Sequence, residues 1–258
     1  MEARTYPTYP DLAGKVAVVS GGSRGIGAAT CRLLAQNGAK VTVNGRDEAA
    51  IDSVVQEIQG SGGEAIGVAA DVTDFAVVER MRRRGEEELG PVEVLAAFAG
   101  GQGYPTPTEQ MAEEQWRSVI DSDLTATFLT VRSFLPGMIE RGGGSIVTMA
   151  SSAARLPSQA SAAYAAAKAG VVMFSKHVAN EVGQHGVRVN SLAPSSVLTE
   201  RVKRLMPEET QRQVASMHPL GRMGTPEDVA LATLFLASES SSWITGVTLD
   251  VAGGRIIV

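Results

Sequence analysis

Short apolar runs alternate with longer amphipathic stretches along almost the whole chain. Val16–Ser20, Val41–Asn44, Ala65–Ala69, Val94–Ala97, Ser145–Met149, Val187–Leu192 and Val247–Val251 are the short runs. Their apolar positions are nearly continuous, the pattern of a strand covered on both faces. Between them, Gly25–Asn37, Ala49–Gln59, Asp74–Leu89, Glu113–Arg141, Ala162–Gly183 and Pro226–Ala237 carry apolar residues at helical spacing. Strand and helix in strict alternation predict an α/β fold: one doubly wound parallel sheet of about seven strands, with helices on both faces. Residues 195–223 break the rhythm, being polar, rich in Arg and Glu, and punctuated by Met206, Met217 and Met223. So late in the sheet, such a segment is expected above the carboxyl ends of the strands, where these folds bind ligands, as a substrate lid. Methionines at helical spacing serve equally as core.

Composition narrows the reading without changing it. No repeat and no linker divides the chain, so residues 15–258 are expected to form one domain behind an arm of residues 1–14. A content of 44% apolar and 20% charged residues supports a large core. A net charge of −5 argues against a nucleic-acid partner, which needs a basic face. No apolar run reaches membrane-spanning length, and residues 1–14 lack the apolar centre of a signal peptide. The single cysteine, Cys31, excludes an internal disulfide and fits a reducing, cytoplasmic setting. It falls in a predicted helix and reads as a buried structural thiol.

The first strand runs straight into a glycine turn, Gly21-x-x-x-Gly25-x-Gly27, that opens the first helix. Small residues let the backbone approach a pyrophosphate, and a helix N-terminus offers unpaired N–H groups and a positive dipole end. The turn departs from the general G-x-G-x-x-G dinucleotide pattern but shares its physics. At the end of the second strand, Val43-Asn44-Gly45-Arg46 has no carboxylate at Asn44 or Gly45 to hold a ribose 2′-hydroxyl. Arg46 there, with Arg24 in the glycine turn, suits a 2′-phosphate and favours NADP(H), with NAD as the alternative. Asp71 and Val72, after the third strand, offer a carboxylate to an adenine amine or, equally, the N-cap of a helix in the segment Asp71 to Asp74.

Tyr164-Ala-Ala-Ala-Lys168, with Ser151 thirteen residues before the tyrosine, carries the chemistry. Residues four apart share a helix face, so Lys168 is expected beside Tyr164, where its charge favours the phenolate. A phenol of lowered pKa can donate or accept a proton near neutral pH.

These residues resemble the short-chain dehydrogenase/reductase family from about Gly14 onward, in particular its 3-oxoacyl-carrier-protein reductase-like members. The resemblance implies a Rossmann-type domain, usually a homotetramer, that reduces a carbonyl or oxidises a secondary alcohol with NAD(P). It implies Ser151, Tyr164 and Lys168 as catalytic residues: Tyr164 protonates the substrate oxygen, Ser151 hydrogen-bonds it, and Lys168 binds the nicotinamide ribose and lowers the Tyr164 pKa. Asp123 stands where an asparagine usually completes this set. The family uses that residue's main-chain carbonyl, so the expectation is that the Asp123 side chain points elsewhere; pairing with Lys168 is the other outcome. The implied cofactor site comprises Gly21, Ser23, Arg24, Gly25, Ile26, Gly27, Asn44, Arg46, Asp71, Val72, Ala99, Gly100, Pro194, Val197 and Thr199, with Tyr164 and Lys168. Two further departures are Ala97-Phe98 in place of the usual Asn pair, and Ser195 in place of a glycine after Pro194, which stiffens the lid's start or adds a hydroxyl to the nicotinamide pocket.

The substrate is the least legible part. Tyr104, Pro105, Pro107, Arg155, Gln159, Ser195 and Ser196 are expected to frame its pocket, with no obvious cluster of cations. A carrier-protein partner needs a basic surface, for which Arg141 and His185 form no convincing patch. His177 and His218 lack metal-ligand spacing, so no zinc site is expected. The apolar tail Arg255-Ile-Ile-Val258 either finishes the sheet or packs on a second subunit. The alternative function is a cofactor-binding regulator or assembly subunit with little turnover.

Overall fold

A computed structural model describes residues 6–101 and 103–257. The strands are β1 (Val16–Ser20), β2 (Lys40–Gly45), β3 (Glu64–Ala69), β4 (Val92–Ala97), β5 (Gly144–Met149), β6 (Val187–Pro194) and β7 (Thr248–Val251). They form one parallel sheet in the order β3-β2-β1-β4-β5-β6-β7. The helices are α1 (Gly25–Gln36), α2 (Glu48–Gly60), α3 (Phe75–Leu89), α4 (Glu113–Ile120), α5 (Ala126–Arg141), α6 (Ala162–Val182), α7 (Glu200–Leu205), α8 (Glu208–Ser216) and α9 (Pro226–Ala237).

The unbroken apolar runs have their cause in this layering. On β1, Ala17 and Val19 face the core shared with α1, α2 and α9, while Val16 and Val18 face the one shared with α3, α5 and α6. Side chains alternate across a strand, so burial on both faces demands an apolar residue at every position. The chain leaves β1 toward β2 on one side and returns to β4 on the other. This reversal of direction opens a crevice at the carboxyl ends of β1 and β4, where doubly wound sheets bind ligands.

The expected helix over Glu113–Arg141 is one rod with a flaw. Between α4 and α5 lies a π-helical turn, Asp121–Thr125, and Pro136 sits inside α5. Such wide turns insert an extra residue and recur at functional sites. Residues 195–223 supply the short helices α7 and α8 after β6. The expected arm is partly core: Leu12 is buried, Tyr6 and Tyr9 pack against the α1–α9 side, and the Tyr9 amide donates to Asn37 Oδ1. Ile256 is buried and Ile257 exposed, while Val258 lies outside the described residues.

Candidate active site

The glycine turn is built by close backbone approach. Ser20 Oγ accepts from the Phe98 and Ala99 amides at 3.0 and 3.3 Å, which ties the ends of β1 and β4 together. A Cβ on Gly27 would sit 2.1 Å from the Gly21 carbonyl oxygen, so no larger residue fits. The opposite wall rises from β6: Pro194, Ser195, Val197 and Thr199 line the same cavity, and the Thr199 methyl reaches the glycine turn at Gly25. Thr199 also caps α7 by accepting from the Val202 amide. Cys31 is buried under the turn, its thiol pushed up by burial and directed at the Gly22 carbonyl.

At the end of the crevice nearer β2 and β3, a smaller pocket is lined by Ser23, Arg24, Asn44, Arg46, Asp71, Val72, Ala99 and Gly100. Both arginines are exposed and each has a carboxylate partner. Arg24 Nη2 is 2.5 Å from Asp47 Oδ2, and Arg46 Nη1 is 4.0 Å from Asp71 Oδ2. Asp47 is the residue that sequence reasoning missed. It is the N-cap of α2, accepting from the Ala50 amide, and this bond together with Arg24 holds its carboxyl below the usual range. Asp71 accepts from the Thr73 amide and hydroxyl, which lowers its pKa, while Asp74 takes the N-cap of α3. Asn44 borders the same crevice at the end of β2, while its buried side-chain amide donates to the Val68 and Ala70 carbonyls and so ties β2 to the end of β3.

The other end, the candidate reaction end, is the cavity of about 780 Å³ lined by Gly21, Phe98, Ser151, Tyr164, Lys168 and Ser195, among others. Ser151 follows β5 and caps a short turn, its Oγ accepting from the Ala153 amide. Tyr164 stands in the first turn of α6, where Ser161 is the N-cap and accepts from the Tyr164 amide. α6 is fixed to the sheet by buried hydroxyls: Ser175 contacts Thr148 of β5 at 2.8 Å and Ser191 of β6 at 3.3 Å. One turn along from Tyr164, Lys168 is 2% exposed, and its Nζ lies 5.6 Å from the Tyr164 ring centre.

Asp123 corrects an expectation. Its side chain does not point elsewhere: Oδ1 is 3.0 Å from Lys168 Nζ, with both groups buried. The π-helical turn places it there. Oδ1 also accepts from the Gly101 amide at 2.7 Å, and Oδ2 accepts from the Ser122 hydroxyl. Lys168 completes its set by donating to the Met149 carbonyl at 2.9 Å. Gly100 makes room for the carboxylate, since a Cβ there would lie 2.6 Å from Oδ1, and its φ of +125° is a conformation that favours glycine.

Two cations that the sequence left unassigned, Arg201 and Arg204, lie on α7 beside this cavity, and Arg201 packs over the Tyr104 ring. Arg155 pairs with Asp250 at 3.0 Å. Arg141, a candidate for partner docking, donates to the Val92 carbonyl. A larger cleft, about 870 Å³, opens at the opposite ends of the strands beside Lys15, Arg141 and Trp243, and holds none of the candidate catalytic residues. Among the described residues no group of His, Cys, Asp or Glu is arranged to hold a metal, and no helix is long and apolar enough to cross a membrane.

Known proteins are similar to this chain over nearly its whole length. The family model described as enoyl-(acyl carrier protein) reductase matches residues 21–255. The chain is 36% identical over 243 residues to 2,5-dichloro-2,5-cyclohexadiene-1,4-diol dehydrogenase LinX of Sphingobium indicum, covering 94% of this chain and 96% of that protein. It is 38% identical to 3-oxoacyl-[acyl-carrier-protein] reductase FabG of Chlamydia pneumoniae, over 94% of this chain and 97% of the relative. The crystal structure of a short-chain type dehydrogenase/reductase from Mycobacterium marinum superposes with a TM-score of 0.91 at 34% identity, over 97% of this chain and 98% of that one. With the model matching nearly the whole chain, and the sheet order and site arranged as described, this protein belongs to the short-chain dehydrogenase/reductase family of NAD(P)-dependent oxidoreductases.

Proposed function

We propose that the protein is an NADP(H)-dependent oxidoreductase that interconverts a carbonyl and a secondary alcohol, with Tyr164 as general acid and base. The observation that carries this reading is the convergence of Ser151, Tyr164 and Lys168 on one cavity continuous with the glycine turn. That turn fits a dinucleotide: the space at Gly27 admits no side chain, and α1 opens at Gly25 with no side-chain cap on its first amides, beside the cavity that Gly25, Ile26 and Gly27 line. Gly21, Ser23, Ile26, Ala99 and Gly100 would hold the pyrophosphate side, Asp71 and Val72 the adenine, and Pro194, Val197 and Thr199 the nicotinamide side. When bound, the nicotinamide supplies or accepts the hydride.

The chain's own residues manage the proton. Tyr164 gives its hydroxyl proton to the oxygen of a carbonyl substrate, or takes it from an alcohol, while the Ser151 hydroxyl bonds the same oxygen. Lys168 is held by the Met149 carbonyl and Asp123, so it is a fixed charge beside the tyrosine ring. Arg24 and Arg46 read the 2′-phosphate, exchanging their exposed carboxylate partners for it. An exposed pair is worth about 0–1 kcal/mol, so the exchange costs little. Relatives named for a ring diol and for a 3-oxoacyl thioester frame the substrate range to test. The homotetramer belongs to the same reading.

A second reading, a cofactor-binding subunit with little turnover, draws on the Asp123 carboxylate, which offsets the Lys168 charge at Tyr164. One experiment separates the two: oxidation of NADPH and of NADH by the purified protein against 3-oxoacyl thioesters, cyclic ketones, diketones and keto sugars. Turnover with NADPH that disappears in Tyr164→Phe supports the first reading. Tight NADPH binding without turnover supports the second.

A further inference from the structure

The cavity holds a second serine besides Ser151, and its hydroxyl is held by a histidine. Ser195, in the position directly after β6, lines the same cavity as Ser151, Tyr164 and Lys168. His218, two residues beyond the end of α8, is 3% exposed. Its Nδ1 lies 2.8 Å from the Val214 carbonyl oxygen and its Nε2 lies 3.0 Å from Ser195 Oγ. A carbonyl oxygen can only accept, so Nδ1 carries the proton. In the neutral ring Nε2 is then an acceptor, and the Ser195 hydroxyl donates to it. With its one proton committed, Ser195 Oγ has only lone pairs left for the cavity.

We propose that Ser195, oriented by His218, is a specificity-determining acceptor that takes a hydrogen bond from an O–H or N–H of the molecule bound at the reaction end. Ser151 and Tyr164 are hydroxyls that can donate to a carbonyl oxygen, whereas Ser195 cannot. The cavity therefore distinguishes a bare carbonyl from one that carries a donor beside it. Two donors have this chemistry, a substrate hydroxyl adjacent to the reacting carbon and the carboxamide N–H of the nicotinamide. His218 acts through Ser195 and is a positioning residue: its bond to the last turn of α8 fixes the tautomer, and Gly253 packs against its ring. The inference rests on the proposed oxidoreductase reading for the identity of the occupant, but its cofactor arm needs no turnover.

The test compares the wild type with Ser195→Ala, His218→Phe and His218→Gln. Binding of NADP and of its 3-acetylpyridine analogue, which lacks the carboxamide N–H, is titrated first. If the carboxamide is the donor, Ser195→Ala weakens NADP about 3- to 10-fold, the size of one neutral hydrogen bond, and leaves the analogue unchanged. If the substrate is the donor, cofactor binding stays the same and the kcat/KM preference for 2-hydroxycyclohexanone over cyclohexanone falls by a similar factor, mostly through KM. His218→Phe reproduces the Ser195→Ala result, and His218→Gln, whose amide oxygen accepts at the Nε2 position, restores the wild-type preference. A purely structural His218 would show no such rescue. If neither ketone turns over, that result bears on the oxidoreductase reading alone, and calorimetry of trans-1,2-cyclohexanediol against cyclohexanol on the NADP complex replaces the kinetic arm. Ser195→Ala discrimination equal to wild type in both arms overturns the proposal.

Discussion

The two ends of the crevice use the same ingredients, arginine or lysine against aspartate, in opposite environments. At the proposed adenosine end, the Arg24 and Asp47 side chains are 70% and 46% exposed. At the reaction end, Lys168 and Asp123 are 2% and 0% exposed. An exposed pair is screened by water and trades partners at little cost. A buried pair is costly to form and more costly to break singly, because the survivor is left charged and dry. The first end is thus suited to an incoming phosphate, the second to one fixed electrostatic arrangement.

The comparison is broken most sharply at the reacting atoms. Tyr164→Phe should lower turnover about 10²- to 10⁴-fold while the NADPH dissociation constant stays within about 2-fold, measured by steady-state rates and fluorescence titration. Undiminished activity would remove Tyr164 from the mechanism. Next, Lys168→Met strands the Asp123 charge and should reduce the unfolding free energy by about 3–5 kcal/mol in urea. The double variant Lys168→Met, Asp123→Asn should recover most of that loss; if it does not, the cost lies in packing rather than charge. Asp123→Asn alone keeps an acceptor oxygen for the Gly101 amide and for Lys168 Nζ, which the Met149 carbonyl also holds, so Lys168 loses a charge partner but not its hydrogen bonds. The substitution should cost about 1–3 kcal/mol of stability and leave activity unchanged or raised. A large loss of activity would give the carboxylate itself a part in the reaction.

At the exposed end, Arg46→Ala should weaken NADPH about 10-fold and leave NADH unaffected, with the melting temperature nearly constant. An equal loss for both cofactors would mean that Arg46 reads the adenosine and not the phosphate. The smallest effect comes from a pair of middling exposure. Arg222 holds the Asp228 carboxyl below its ordinary value of 3.8, and Asp228 closes the capping box of α9. Because the folded pKa is the lower one, this contribution is present above about pH 4 and is lost as pH falls through the folded value. Asp228→Asn should therefore flatten the acid limb of the stability curve below about pH 4, and leave its shape at about pH 6–8 unchanged.

The fold was legible because burial on both sheet faces writes itself into continuous apolar runs, as on β1, and because the glycine turn is a local sterically determined object. The neighbouring placement of Tyr164 and Lys168 was legible for a similar reason: a one-turn spacing on a helix survives without knowledge of the tertiary structure, whereas Ser151, which follows β5, was picked out only by its distance along the chain from Tyr164. What stayed hidden depends on contacts distant in sequence. The Asp123–Lys168 pair spans two elements, and its direction is set by a π-helical turn that leaves no mark in an otherwise ordinary helical pattern. Asn44 stands at the crevice as its place at a strand end suggests, but the bonds of its amide to the Val68 and Ala70 carbonyls depend on a neighbouring strand and were not readable. Asp47 was readable in principle, as a helix-capping residue directly after Arg46. His218 was weighed only as a metal ligand, and its serine partner lies across the cavity wall.

The wide turn at Asp121–Thr125 also acts as an offset in the helical reading frame. Each residue of an α-helix rotates its side chain about 100° around the axis. Excising one residue within the turn would let α4 and α5 fuse into a regular rod with almost the same helix content. It would also swing either the carboxylate or the apolar face of α5 away from its present neighbours. The site is thus sensitive to chain length at a place where composition is nearly free, so a single-codon deletion there would disarm the Lys168 pair more surely than most substitutions nearby.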